Sequence, residues 1–302
     1  MQSGMALADS GDYQHAQDVL EAALATAESE GKDTPRVALT LNLLGPVYLN
    51  LGNWRQAEVA DRRAILIWEQ GGSDQELGLC RAMENLAGLH TRMHRYARAA
   101  ALYERCLDIR RAHLGEHHPT IAILLNNLGE VYREQGRNAD AERMFLRSLS
   151  ESERLLGPNR PEVAVCLNNL ATLYGDEGRL EKAREASERA VAIWADTYGD
   201  THPTYAQGLA NLATLYTETG RQAEAEAYFQ RALSITERTF GPQHRKVGVV
   251  LANYAVLLRQ LGRKDEARQA EKRAKAILEQ NAKENLLQYT VDVSELTRQG
   301  SE

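Results

Sequence analysis

Leucine returns every 42 residues along this chain, at Leu44, Leu86, Leu128, Leu170 and Leu212, with Tyr254 closing the series. A second series keeps step with it: Tyr48, His90, Tyr132, Tyr174, Tyr216 and Leu258. A third is small: Ala57, Ala99, Ala141, Ala183, Ala225 and Ala267. Between the second and third lies a chain breaker, Gly52, His94, Gly136, Gly178, Gly220 or Gly262, and a further breaker opens the units at GEHHP (115–119), GPNRP (157–161) and GDTHP (199–203). Leu125, Leu128, Gly129 and Tyr132 follow i, i+3, i+4, i+7 spacing, one apolar stripe on a helix. Ala141, Phe145 and Leu149 mark one face of a second helix, with alanine small enough to let the two approach closely. Each unit therefore reads as helix, tight glycine turn, helix, Gly/Pro loop. Neither helix buries its stripe alone, so neighbouring units must stack around a continuous core. No strand-like alternation precedes residue 288. The expectation is an all-α solenoid over 1–281, with a partial repeat at 1–33 and full repeats at about 34–75, 76–117, 118–159, 160–201, 202–243 and 244–281, then a C-terminal cap or tail at 282–302.

The string L-x2-L-[G/A]-x2-Y…A-x3-F at 125–145 resembles the tetratricopeptide repeat, a helix–turn–helix unit whose common length is about 34 residues. The unit here is longer, and "NNLGEVYREQGRNADAERMFLRSLSESERLLG" in the 42-residue frame resembles the kinesin light chain type of repeat, also widespread in bacterial proteins. The heptad coiled coil of kinesin light chains is absent. The resemblance covers roughly residues 5–281 and implies a right-handed α-α superhelix with the first helices lining an inner groove.

One polar feature interrupts the apolar pattern. Asn85, Asn127, Asn169, Asn211 and Asn253 share a register beside the core stripe, and Leu43 breaks the series. Asn42, Asn126 and Asn168 form a shorter row next to it. Asparagine is a poor helix former and costly to bury unpaired, so a column of them calls for a purpose. A carboxamide carries donors and an acceptor, matching the backbone of an extended peptide. The column resembles the asparagine ladder of the O-GlcNAc transferase repeats, and kinesin light chains use comparable asparagines for cargo peptides; that likeness implies a backbone clamp at these five positions. The alternative is that the amides bridge adjacent repeats. At roughly 0.5–1.5 kcal/mol per net hydrogen bond, five rungs supply about 5 kcal/mol, less than the roughly 8 kcal/mol of a micromolar complex. Selectivity must come from neighbours on the same wall.

Those neighbours include Arg81, Arg92 and Arg133 toward the N-terminal side, Glu130, Glu134, Asp176 and Glu218 in the middle, and Thr172 and Thr214 between them. The wall predicts a partner segment basic at its centre and acidic near the N-terminal end, unlike the acidic cargo motifs that kinesin light chains favour. The opposing reading is a solvated face, as charge runs usually are.

Composition narrows the chemistry. The 302 residues are 43% hydrophobic and 26% charged with net charge −6, and basic and acidic residues are interspersed, so nothing marks a nucleic-acid footprint. Three widely spaced cysteines give no disulfide framework. No apolar run reaches the roughly 20 residues of a membrane span, and "MQSGMALADSGDY" lacks a leader pattern; a cytoplasmic location is the expectation. His113, His117 and His118 cluster in HLGEHHP, but His118 recurs as His202 and His244, which marks a helix-start residue better than a zinc site. Cys106 shares a slot with Ser148, Ala190, Ala232 and Ala274, and Trp68 with Trp194, so these read as packing. Glu271 stands where Phe145 and Phe229 fall, as a polar last repeat would require. No nucleophile, P-loop or metal motif appears, so no cofactor or metal and no catalytic residue is expected.

The function these features imply is a non-enzymatic scaffold gripping an extended peptide or protein partner. The alternatives are a regulatory or recruiting module of a larger enzyme or signalling ATPase system, and a self-associating structural subunit. Peptide contact is expected at Asn85, Asn127, Asn169, Asn211, Asn253, Asn126, Asn168, Arg92, Glu130, Glu134, Thr172, Asp176, Thr214 and Glu218. The tail segment YTVDV reads either as a frayed cap or as a strand docking in a groove.

Overall fold

The computed structural model describes residues 2–9, 11–72 and 75–289, and within these every regular element is a helix. In chain order they pair as α1 (Gln2–Asp9) with α2 (Tyr13–Glu30), α3 (Pro35–Asn50) with α4 (Trp54–Gln70), α5 (Glu76–Arg92) with α6 (Tyr96–Leu114), and α7 (Pro119–Glu134) with α8 (Asn138–Leu156). Then follow α9 (Pro161–Asp176) with α10 (Leu180–Tyr198), α11 (Pro203–Glu218) with α12 (Gln222–Phe240), and α13 (Arg245–Gln260) with α14 (Lys264–Tyr289). The chain forms two compact units, Met1–Ala141 and Glu142–Leu287, considered separately below. The expected extended run at Tyr289–Val293 and its docking lie, from residue 290 on, outside the described residues.

Local chemistry sets the ends of these helices. Pro35, Pro119, Pro161 and Pro203 occupy the first turn, where a missing N–H costs nothing. His118, His202 and His244 are N-caps, each accepting a backbone N–H two residues on through Nδ1, at 3.3, 3.2 and 3.2 Å. The recurring histidine is thus a cap. Within each pair the chain reverses through a residue of positive φ, and the following N–H returns to the carbonyl of the register aromatic, as in Arg137 to Tyr132 at 2.9 Å and Arg179 to Tyr174 at 2.8 Å. The arginine then lies over that ring, 3.9 Å from the Tyr132 centroid and 4.2 Å from the Tyr174 centroid.

His94 occupies this turn at φ 55, where the other six pairs place glycine. A left-handed conformation costs a residue with Cβ about 1–2 kcal/mol. His94 recovers part of that through Nδ1 to the Tyr96 hydroxyl at 2.6 Å. His94→Gly is expected to stabilise the protein by about 0.5–1 kcal/mol in urea unfolding, the released strain exceeding the lost bond; a destabilised variant would show that the hydrogen bond dominates.

The register residues form the cores. Ala57, Ala99, Ala141, Ala183 and Ala225 are fully buried, as are the leucines of the first series. Successive pairs are latched by a tyrosine hydroxyl donating to a glutamate on the second helix of the preceding pair. In the first unit these bonds are Tyr48 to Glu21 at 2.8 Å and Tyr132 to Glu104 at 2.7 Å; in the second, Tyr216 to Glu188 at 2.5 Å and Tyr254 to Glu226 at 2.8 Å. Burial, then the adjacent carboxylate, pushes the phenol pKa upward at Tyr48, Tyr132 and Tyr216. Cys80, Cys106 and Cys166 are buried free thiols, and Trp68 and Trp194 are buried in packing positions.

Candidate functional site

The first helices carry the asparagine register between their buried stripe and water. Asn85, Asn127, Asn169, Asn211 and Asn253 are all half-buried. Their partners divide them. In the first unit, Asn85 Nδ2 donates to the Asn42 carbonyl at 2.9 Å, and Asn42 Nδ2 donates to the Gly78 carbonyl at 3.0 Å. In the second, Asn211 Nδ2 donates to Asn168 Oδ1 at 2.9 Å and its own Oδ1 accepts from Gln207 Nε2 at 3.2 Å. Each of these rungs reaches 43 residues back, to the short-row asparagine of the preceding repeat. Asn127 has Glu84 at that place and Asn253 has Ala210. Among the described residues, neither Asn127 nor Asn253 makes a side-chain hydrogen bond. The column therefore contains amides that join repeats and amides that are free to bind something else.

The short row takes the bridging role between repeats that the sequence analysis gave as the alternative to ligand contact. Asn42 is 1% exposed and Asn126 8%, so both offer little surface to a ligand, and Asn168 receives Asn211. These residues sit inside the seams between repeats. Only the Asn211 rung depends on the residue type it meets, because its acceptor is the side-chain Oδ1 of Asn168; Asn85 bonds a backbone carbonyl that any residue at position 42 would offer.

The second unit gathers the largest share of the predicted contact residues in one place. Thr172, Asp176, Asn211, Thr214, Glu218 and Asn253 line a single cleft of about 240 Å³ on the wall made by α9, α11 and α13. The two threonines turn their hydroxyls onto their own helices, Thr172 to the Asn168 carbonyl and Thr214 to the Ala210 carbonyl, both at 3.0 Å. Asp176 and Glu218 are exposed at this cleft, and Glu218 makes no ion pair among the described residues. Val165, Val249 and Val256 stand exposed on the same helices. The cleft floor comes from the second-helix layer, at Ser187 of α10, which no sequence reasoning singled out.

In the first unit the picture is different. Arg81 and Arg92 are exposed. Glu134, expected as a free acid of the wall, is paired with Arg133 and accepts the Tyr96 hydroxyl at 3.1 Å. Local bonding thus takes up much of its charge. Glu130 reaches water, yet the wall around it raises its carboxyl pKa, with Arg133 opposing and Glu134 adding like charge. A hollow of about 390 Å³ on this unit is bordered by Asn42, Asn85 and Arg81, with Leu43, Pro46 and Val47 making it more apolar than the cleft of the second unit. Arg92, Asn127, Glu130 and Glu134 lie outside that hollow. No group of three or more ligating side chains suited to a metal occurs among the described residues, and no described helix is long and apolar enough to cross a membrane.

The helix pairs and their shared register define the class of protein. The profile of the tetratricopeptide repeat matches residues 1–70, 38–112, 78–150, 120–193, 167–238 and 223–280, and the chain belongs to that family. It is an all-α repeat protein of the solenoid class. Among solved structures it is similar to BtubC (BKLC) from P. vanneervenii, at 25% identity over 76% of this chain and 92% of that one, with a TM-score of 0.63. A putative kinesin light chain repeat protein of Podosopora anserina matches at 22% identity over 67% of this chain and 96% of that one, TM-score 0.56. A Rap protein complexed with competence and sporulation factor matches at 18% identity over 95% and 74%, TM-score 0.68. No curated protein shows significant sequence similarity to the chain. Proteins of this repeat family are in general interaction scaffolds rather than catalysts, and the fold is consistent with that role.

Proposed function

We propose that the chain is a non-enzymatic scaffold that holds an extended segment of a protein partner against its first-helix wall, with asparagine amides gripping the segment's backbone. The observation that carries this reading is the cleft of the second unit, where six residues chosen for peptide contact converge and where the Asn253 amide makes no internal bond. Exposed valines beside it offer apolar patches for alternate side chains of an extended chain. The Rap protein complexed with competence and sporulation factor is a protein of this fold with a bound partner. The same wall would serve the recruiting surface of a larger regulatory system, the alternative drawn from the sequence.

The division among the asparagines supplies the test. A displayed library of random peptides is selected on the wild-type protein, and the affinities of the recovered peptides are measured by titration. Asn253→Ala is expected to leave the melting temperature unchanged and to weaken binding by about 2- to 10-fold, the worth of one net hydrogen bond. Asn211→Ala removes an inter-repeat bond as well, so it is expected to cost about 1 kcal/mol of stability in addition. Recovered peptides whose affinity ignores Asn253 would defeat the backbone-clamp reading.

A further inference from the structure

Three second helices carry a large core side chain at one register position, where α4 has Asp61 and α14 has Glu271. It is Phe145 in α8, Tyr103 in α6 and Phe229 in α12, and the two phenylalanines are fully buried. In α10 the same position is Ser187. Its side chain is 3% exposed, its Oγ has no hydrogen-bond partner, and it lies at the cleft of the second unit. A buried hydroxyl without a partner costs free energy, and native interiors rarely keep one without a reason. Ser187 is the second-helix residue that lines the cleft, and a ring in its place, as at Phe145 and Phe229, would take up space there.

The surroundings specify what fits. Ala171 and Leu215 give the cleft apolar sides, Ser187 Oγ and the free Asn253 amide offer acceptors, and Asp176 and Glu218 set a negative field with Glu218 unpaired. An acidic occupant is repelled, and a purely apolar one leaves Ser187 unsatisfied. A long side chain with apolar methylenes and a cationic tip meets every requirement.

We infer that the Ser187 cleft is a specificity pocket for a lysine side chain of the bound segment. Its methylenes lie along Ala171 and Leu215, and its ammonium donates to Ser187 Oγ in the field of Asp176 and Glu218. This rests on the peptide-scaffold reading and sharpens it: the amides hold backbone, and this pocket selects sequence.

The experiment uses the full chain and an array of synthetic peptides of one backbone sequence, recovered from the library selection, with its central residue varied among lysine, norleucine, glutamate and tyrosine. Wild type is expected to prefer lysine over norleucine by about tenfold, the order of one charge-assisted contact, and to bind glutamate most weakly. Ser187→Phe, which installs the side chain of the equivalent repeats, is expected to abolish the preference while binding to the norleucine peptide persists. Because a ring at 187 also changes the packing, the isosteric pair Asp176→Asn/Glu218→Gln is measured beside it and is expected to remove the lysine preference with an unaltered melting curve. A lysine preference that survives both variants, or a preference for tyrosine or norleucine, overturns the pocket. If the preference is missing while Asn253→Ala still weakens binding, the pocket falls and the scaffold reading stands; if no peptide of library or array binds, both fall.

Discussion

At pH 8 the Asp61→Asn variant is expected to melt well above the parent protein, and the advantage is expected to disappear as the pH falls toward 4. Asp61 lies on α4 at the register position of Phe145 and Phe229, and it is 1% exposed. Burial pushes its carboxyl pKa from 3.8 to about 8, only partly opposed by a hydrogen bond with the Asn85 side chain. Its Oδ1 has no hydrogen-bond partner. The folded protein therefore keeps this proton over a range in which the unfolded chain has released it. Below about pH 4 both states are protonated and the site contributes no pH dependence. From about 4 to 8 the unfolded state is progressively favoured, by about 1.4 kcal/mol per pH unit, to an upper bound of about 6 kcal/mol. Asparagine has the same shape and no charge to desolvate, so it escapes this cost. Thermal melts of parent and variant at pH 5 and pH 8 measure it. A difference in stability between the two that stays constant with pH would mean that Asp61 finds solvation in the folded state. Larger replacements are constrained at this site by Gly45, where an added Cβ would stand 2.1 Å from Asp61 Oδ1.

Phe229→Ala is expected to cost about 3–5 kcal/mol, the usual penalty for emptying a core ring site. Phe229 is fully buried among Leu212, Tyr216, Ala225, Ala232 and Leu257, with the Tyr254 ring 5.6 Å away. Its cluster joins residues of α11, α12 and α13, and in a repeat array stability is close to a sum of repeat and interface terms. The loss should thus be local. Urea unfolding followed by hydrogen exchange is expected to show early opening of α11 to α14, with protection retained in the helices of the first unit. Uniform loss of protection across the chain would indicate one cooperative block. The contrast with Ser187 is instructive: at one register position the same fold buries a ring in one repeat and leaves a hydroxyl beside a cleft in the next.

Much of the fold is written in local and repeated signals. Proline at the helix start, histidine before it, glycine at the turn and alanine at the helix contact each act through their own few residues, and their recurrence identifies the repeat. The candidate wall was legible in part for the same reason, because helical spacing places Asn211, Thr214 and Glu218 on one face. The charged part was less legible. Glu134 reads as a free acid in sequence, but Arg133 and Tyr96 engage it, and Tyr96 is 38 residues away.

What the sequence by itself determined is the helix pair, its length, its turns and its identity as a tetratricopeptide repeat, since these depend on backbone geometry and on apolar periodicity within one unit. Only the tertiary structure decided which amides are occupied. Asn85 and Asn211 reach acceptors across a seam between helices, the Asn42 carbonyl and Asn168 Oδ1, whereas Asn253 makes no such bond although Ala210 offers the same kind of backbone carbonyl as Asn42. It also decided that Ser187 opens onto a cleft while Asp61 is sealed in a core. A missing ring leaves usable space only where the helices packed around it keep that space open to water, and that is a property of three helices together.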